Sequence, residues 1–268
     1  MNNSPMVSVI IPAYNSEHFV GETVKSVLAQ SYTCFEVIVV DDCSSDNTTH
    51  VVKDIAKSDD RVSLIELRKN YGGPAGPRNI GVSAARGEWI CFLDADDIWH
   101  PEKLSVQISA LTETGARFCS TQWVYFKTQV SFHSDRINRN DTKFKRYTFR
   151  QQCSKNRISN SGVIVDRSLA KLFPFNEAIE YKAVEDMQCW LQILEAEGSC
   201  LIVDEALVGY RISQQQISRN KIEMAKKFFM VINRYKRSSG DGLGPLRFWY
   251  FAQYCFLSTK LVLSKRKI

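Results

Sequence analysis

The chain has 268 residues, 44% of them hydrophobic and 24% charged, enough for one large domain with an appendage and too apolar for wholesale disorder. Eight scattered cysteines without a CxxC pair argue against a zinc site or a small disulfide scaffold and fit reduced thiols in a cytoplasmic enzyme, and MNNSPMVSVIIP lacks the basic segment and long apolar run of a secretory signal. The net charge of +6 is uneven: from Arg219 to Ile268 twelve Lys or Arg face only Glu223 and Asp241, a basic tail on an acidic body that suggests an anionic partner, either a phospholipid headgroup layer or nucleic acid.

In chain order, Val7–Ile11 is a continuous β-branched run, predicted to be a strand buried on both faces and ended by Pro12. Ser16 is placed as the cap of a helix that carries Val20, Val24, Val27 and Leu28 at helical spacing. A second strand, Phe35–Val40, ends in Asp41-Asp42, and Ser44 or Ser45 is expected to cap the helix that follows, to about Lys57. A third strand covers Val62–Leu67; the Gly- and Pro-rich loop Asn70–Pro77 leads into a helix over about Arg78–Ala85. A fourth strand, Glu88–Leu93, ends in Asp94-Ala95-Asp96-Asp97. Such alternation implies parallel pairing with helices on both faces, and a ligand crevice at the carboxyl ends of the strands.

After Pro101 the pattern predicts a helix to about Thr114, then a strand over Arg117–Phe126. The polar, basic stretch Ser131–Arg157 reads as a mobile loop or lid. Asn160–Val165 is expected to be a strand, Glu185–Glu197 a helix, and Leu201–Val203 and Leu207–Tyr210 two short strands. Two helices split by Ser238–Pro245 close the chain. There is no internal repeat and no low-complexity tract. The division expected is a catalytic domain over residues 1–215, in which residues 1–105 bind the nucleotide and residues 106–215 bind the acceptor, and a basic, aromatic helical extension over residues 216–268.

Two clusters carry chemistry. FLDADD, Phe92–Asp97, sets three carboxylates in four residues after an apolar strand; their repulsion favours a bound cation, and oxygen ligands suit magnesium or manganese beside a substrate's phosphates. The bland alternative is a solvated, helix-capping turn. VVDDCSSDNT, Val39–Thr48, offers a strand-end carboxylate for a base edge or a ribose hydroxyl; helix capping by Asp42, Ser44 or Ser45 is its alternative.

Together the segments VSVIIPAYN, SVLAQSY, VIVVDDCSSDNT, GGPAGPRNIGVSAARGEWICFLDADD and AVEDMQCWL resemble the family 2 glycosyltransferases of the GT-A fold, strongly over about residues 7–105 and more weakly to about residue 212. The resemblance implies a Rossmann-like, mostly parallel α/β sheet flanked by helices. It also implies an inverting transfer of a sugar from a nucleotide-sugar, with Asp42 favouring a UDP-sugar, to a hydroxyl of a glycan acceptor. A lipid-linked acceptor in bacterial O-antigen or capsule synthesis, at the cytoplasmic face of the inner membrane, is the expected setting. Pro12, Ala13 and Tyr14 would line the nucleotide pocket, Glu17 would lie near the donor, and Asp42 would bind the base. Arg78 would face the donor phosphates, with Asn79 beside it. Asp94 and Asp96 resemble the DxD motif: Asp96 would bind Mn2+ or Mg2+, Asp94 would contact ribose or metal, and Asp97 would shape the turn. Asp186 matches the catalytic base, with Glu185 as the fallback. Many relatives carry a histidine two residues after a Tyr-Arg pair; here Tyr210-Arg211 is followed by Ile212 and Ser213, so Arg211 is the remaining candidate to assist. His18, His50, His100 and His133 are isolated and are expected at the surface without a catalytic role.

In the tail, twelve uncharged residues, FWYFAQYCFLST, precede Lys265, Arg266 and Lys267. That is shorter than the roughly 20 residues a span needs. Aromatics interleaved with cations suit an interfacial helix on an anionic leaflet; packing on the catalytic domain is the alternative. No nucleic-acid motif accompanies the charge, so nucleic acid is not expected. A sugar-phosphate nucleotidyltransferase would show a glycine-rich basic loop where PAYNSEHFVGET stands. A non-catalytic, donor-binding scaffold subunit is the reading that loss of Asp94, Asp96 and Asp186 would have favoured.

Overall fold

The Val- and Ile-rich runs of the first hundred residues form the parallel half of one twisted sheet. A computed structural model describes residues 5–132, 137, 142–212 and 220–265. Strands β1 (Val7–Ala13), β2 (Phe35–Asp41), β3 (Val62–Glu66) and β4 (Trp89–Phe92) pair in parallel in the order β3-β2-β1-β4. Beyond β4 come β8 (Ile164–Asp166) and β6 (Phe118–Phe126), then β9 (Ser199–Arg211). The outer edge of β9 is shared by β5 (Ile98–Trp99) and β7 (Phe144–Thr148), both antiparallel to it.

Side chains alternate between two cores. Val7, Val9, Ile11, Val37 and Val39 face one side, covered by α1 (Val20–Leu28), α2 (Thr48–Ser58) and α4 (Lys103–Thr114). Ile10, Ile38, Val40, Ile90 and Phe92 face the other, covered by α3 (Ala75–Ala84), α6 (Arg167–Leu172) and α7 (Glu185–Glu197). Both faces are covered, so the strands read as continuous apolar runs. Helix α5 (Phe149–Ser154) and the C-terminal pair α8 (Lys221–Arg234) and α9 (Leu246–Lys265) complete a third cluster against Val184, Met187 and Leu191.

Several expectations change. Pro12 does not end β1; the strand runs through it to Ala13. Pairing with β4 stops at Ile10↔Phe92, so the N–H that proline lacks has no ladder partner to miss. Ser16 does not cap with its side chain: its carbonyl accepts from Phe19 and Val20 N–H, and α1 starts a turn later. Ser44 and Ser45 bond to Asn15 instead of capping α2; Asp46 accepts from Thr48 N–H beside the Asn47 cap position. Helix α3 begins at Ala75, with Pro77 inside its first turn, where no intrahelical N–H is required. At Gly81 α3 lies so close to β1 that a Cβ would collide with the Ile10 side chain; the close approach brings Arg78, one turn earlier, over the strand ends.

The stretch expected as a lid is half regular structure, β7 and α5; residues 133–136 and 138–141 of it lie outside the described residues. Asn160–Gly162 is a 3-10 turn and the strand starts only at Ile164. The two short strands after α7 are one, β9. Register shifts around Gln122 on β6 absorb the polar Asp204-Glu205 step, so the ladder continues.

Candidate active site

Three strand ends open on one side, and the loops that leave them are bonded to one another. After β1, Asn15 takes a left-handed φ of 47°; its N–H donates to Ser44 Oγ, and its Oδ1 accepts from Ser45 N–H. Glu17 Oε2 accepts from both Asn47 N–H and Nδ2. Glu17 is therefore used to fasten the first loop to the second, not held free for a donor. Pro12 and Ala13 form the floor at the strand end, and Tyr14 stands above it, 54% exposed.

Asp42, buried at the end of β2, accepts from Tyr71 N–H at 2.8 Å while its carbonyl accepts from Asn70 Nδ2. Burial pushes its carboxyl above the ordinary range. A narrow crevice lined by Tyr71, Gly73, Lys182 and Glu185 runs from this loop towards α7.

The acidic loop after β4 has divided roles. Asp97 is fully enclosed: Oδ2 accepts from Ser161 Oγ at 2.6 Å, Oδ1 from Arg211 N–H at 3.0 Å, and its own N–H donates to the Asp94 carbonyl. These bonds shape the turn. Asp94 keeps its side chain 34% exposed and uses Oδ1 to accept from Arg78 at 2.7 Å and Asn160 Nδ2 at 3.2 Å. Burial, with Asp94 beside it, pushes the Asp96 carboxyl up to about 6. Among the described residues no group of three or more His, Cys, Asp or Glu could hold an ion unaided. The donor set is nevertheless all oxygen, and the raised acidity constant of Asp96 marks negative charge short of compensation. Two carboxylates of this kind fit Mg2+ or Mn2+ that takes its remaining ligands from a substrate's phosphates.

Arg78 lies at the centre, 3% exposed. Nη2 donates to Asp94, and Nη1 donates to Glu185 Oε1, also at 2.7 Å. Burial opposes its charge, but Asp94 and Glu185 more than offset that and raise its pKa. The expectation that it faces the donor phosphates is thus corrected: both ends of its fork hold carboxylates. In doing so it joins the acidic loop to the N-terminus of α7. Glu185 is buried, with Oε2 lacking a partner. Asp186 bonds Met187 N–H through Oδ1 and receives Asn156 Nδ2 at 3.2 Å on Oδ2. Burial, then the neighbouring Glu185, lifts its carboxyl to about 7, which suits a general base near neutral pH. Glu185, tied into a buried ion pair, is the poorer base. Ala183, just before this turn, holds φ at 73°, unusual for a residue with a Cβ.

Arg211 is also corrected. It lies between the Phe19 and Phe126 rings, at 4.8 and 4.4 Å, and donates to Glu22 at 2.6 Å and to the Asp96 carbonyl. It braces the acidic loop rather than offering charge to a phosphate. Asn79 likewise braces, bonding Phe175 and Glu177. Ser213 and His133 lie outside the described residues. His100 is buried, not at the surface: it stacks edge-on to Phe132, and Nδ1 accepts from Glu102 N–H. Asn156, Asn160, Ser161 and Lys182 were not singled out from the sequence; the signal within reach was the SNSG run between an apolar strand and a helix-rich stretch. Beneath Ser161, the fully buried Lys103 sits 3.9 Å from the Trp99 ring and bonds Gln107, which in turn donates to the Gly162 carbonyl.

A strand-end crevice with an acidic loop on one wall and a carboxylate helix on the other defines a nucleotide-dependent transferase of the GT-A type. Residues 8–173 match the glycosyl transferase family 2 profile, and the chain belongs to that family. It is 34% identical over 264 residues to the Escherichia coli UDP-Glc:alpha-D-GlcNAc-diphosphoundecaprenol beta-1,3-glucosyltransferase WfgD, covering 95% of this chain and 94% of that one. It is 30% identical over 257 residues to the Bacillus subtilis putative teichuronic acid biosynthesis glycosyltransferase TuaG, covering 94% and 96%. Among solved structures, S. aureus TarS 1-349 in complex with UDP-GlcNAc superposes with a TM-score of 0.70 at 22% identity, over 93% of this chain and 71% of that one. No helix among the described residues is long and apolar enough to cross a membrane.

Proposed function

We propose that the chain is an inverting, metal-assisted transferase that moves a sugar from a UDP-sugar to a hydroxyl of a lipid-linked glycan in surface-polysaccharide assembly. The carrying observation is the Arg78 clamp, which brings Asp94 and the Glu185-Asp186 pair, distant in sequence, to one guanidinium. The relatives' names support the substrate class: a UDP-sugar donor and a diphosphoundecaprenol acceptor for WfgD, teichuronic acid for TuaG. On this reading the reaction runs on the cytoplasmic side of the membrane, where thiols stay reduced.

Asp42 accepts from the base edge, and Pro12, Ala13 and Tyr14 frame it. Asp94 and Asp96 would hold Mn2+ or Mg2+, which when bound supplies positive charge for the departing diphosphate. Asp186 takes the proton of the acceptor hydroxyl as that oxygen attacks from the face opposite the diphosphate. One displacement inverts the anomeric centre. Arg78 keeps the leaving-group side and the base side at a fixed separation, which sets the line of attack.

A thermal-shift screen of nucleoside diphosphates with and without Mn2+ tests this. A ligand at a hundred times its Kd stabilises by about 2.7 kcal/mol. Stabilisation by UDP that needs Mn2+ and vanishes in Asp96→Ala is expected. A response to GDP or TDP alone would keep the transferase and overturn the uridine assignment. No response from folded protein to any nucleotide would favour the non-catalytic scaffold.

A further inference from the structure

Helix α9 has two unlike faces. Inward, Tyr250 is 2% exposed, Tyr254 stacks on Phe228 with ring centroids 3.9 Å apart, and Gln253 accepts from Ser154 Oγ. Outward, Phe248, Trp249 and Phe256 are 57, 55 and 65% exposed; positions 248, 249, 252 and 256 recur at helical spacing, one stripe of the cylinder. Leu246, at the start of α9, and Ile222, on α8, are exposed as well. Half of the large hydrophobic side chains that the described surface exposes thus sit on this one helix pair, and a concentrated apolar patch of that kind marks an interaction site rather than scatter.

The charge around the stripe selects the partner. From Gly242 to the C-terminus the sequence has Arg247, Lys260, Lys265, Arg266 and Lys267 and no acidic residue. Aromatic rings flanked only by cations match the boundary between acyl chains and anionic headgroups. A protein partner would be expected to meet some acidic groups at the rim. A bilayer span is not available, because no described helix is long and apolar enough.

We propose that the outer face of α9, with Leu246, Phe248, Trp249 and Phe256 as its apolar stripe and Arg247 beside them, docks flat on an anionic phospholipid bilayer. The inner face of the same pair then fixes how the active site meets that bilayer. Helix α8 packs Phe228, Val231 and Ile232 against Val184, Met187 and Leu191 at the start of α7. Lys227 Nζ donates to the Lys182 carbonyl and Arg234 bonds Glu180, so α8 also grips the strap that leads into Glu185 and Asp186. Helix α9 touches α5, which precedes Asn156, the donor to Asp186. Asp186 is one layer of helices from the docking face, the right order of depth for an acceptor whose diphosphate lies at the headgroups. Only this purpose rests on the transferase reading; the docking itself is read without donor or acceptor.

The test is co-sedimentation of the full chain with large vesicles of phosphatidylcholine alone or with about a third phosphatidylglycerol, a composition of strong negative surface potential. The intact protein is expected to pellet with the anionic vesicles, not with the neutral ones, and to be released as salt rises. Phe248→Ser/Trp249→Ser/Phe256→Ser should partition at least tenfold less while its melting temperature and transfer to a water-soluble acceptor stay unchanged. If that variant does not fold, Trp249→Ser alone and Arg247→Gln alone should each weaken partition. Intact protein that ignores anionic vesicles overturns the proposal. So does a variant that binds as the intact protein does, or a stable dimer of the intact chain that the triple variant converts to monomer, since a second copy would then own this face.

Discussion

The donor side and the acceptor side of the crevice are built by different means. On the donor side, Ala13, Asp42 and Asp94 stand at or just beyond the ends of β1, β2 and β4, and parallel pairing alone sets their spacing. On the acceptor side, Asp186 opens α7 after a strap held by Asn79, Lys227 and Arg234, and it is oriented by Asn156 from a loop thirty residues earlier. The first arrangement is fixed by a sheet that any well-packed Val and Ile run can form. The second depends on individual side-chain bonds across long sequence separations. The donor side should therefore tolerate substitution of one polar group with a local loss, whereas the acceptor side should lose chemistry outright.

The largest effect expected is from Asp186→Asn. The amide keeps the shape and can still meet Met187 N–H, but it cannot take a proton. Loss of a general base typically costs about 10²- to 10⁴-fold in rate, and kcat should fall by that much while UDP-dependent thermal stabilisation is retained. In the intact enzyme the carboxyl at about 7 must be ionised to act. Its activity should rise with pH through about 7 and level off above, the ascending limb of a kcat/KM profile. An Asp186→Asn enzyme with substantial turnover, or an intact enzyme with a flat profile from about pH 5.5 to 8.5, would move the base elsewhere.

Arg78→Lys crosses the division. An ammonium keeps the charge but cannot reach Asp94 and Glu185 at once with the planar fork. One buried or part-buried carboxylate is left without its donor, a loss of about 1–3 kcal/mol, readable as a lower denaturation midpoint. Because the clamp joins both sides, donor KM should rise and kcat should fall together. A change confined to KM would mean that Arg78 serves the donor alone and that the two walls are set independently.

What the sequence made legible follows the same line. β1 to β4 could be read to within two residues because apolar runs buried on both faces have no competing interpretation, and α7 was placed at Glu185–Glu197 because its apolar face is continuous through Met187, Trp190, Leu191 and Leu194. The DxD cluster and Asp186 stood out through the order of the motifs. β5 was missed because two residues carry no periodicity. β7 and α5 were read as a lid because FKRYT shows little apolar alternation, although Thr148 and Gln151 do form a capping box. The mistaken caps at Ser44 and Ser45 arose because serine beside a helix start is ambiguous until a nearer acceptor, here Asp46, is positioned. The roles of Arg78, Glu17 and Arg211 were misassigned for one reason: a charged side chain near a crevice can face the ligand or hold the wall. Only the partners, Glu185, Asn47 and Glu22, decide which.

Asp42→Asn gives the smallest effect and the sharpest contrast with Asp186. The carboxylate already spends Oδ1 on Tyr71 N–H, and an amide oxygen can accept that bond, so the loop after β3 should keep its path. What changes is the remaining oxygen, the one left to accept from a base N–H: in asparagine it becomes an NH₂ donor and repels that group. The loss is one hydrogen bond to a charged acceptor, about 1.5–3 kcal/mol, and it is incurred in the ground state and the transition state alike. KM for a UDP-sugar should rise about tenfold or more with kcat within roughly twofold, the signature of uniform binding. Steady-state kinetics on purified enzyme separates the outcomes. A fall in kcat comparable to the rise in KM would show that the base pocket and the reacting centre are not independent, and that the sheet transmits to the acceptor wall what the pairing register alone does not predict.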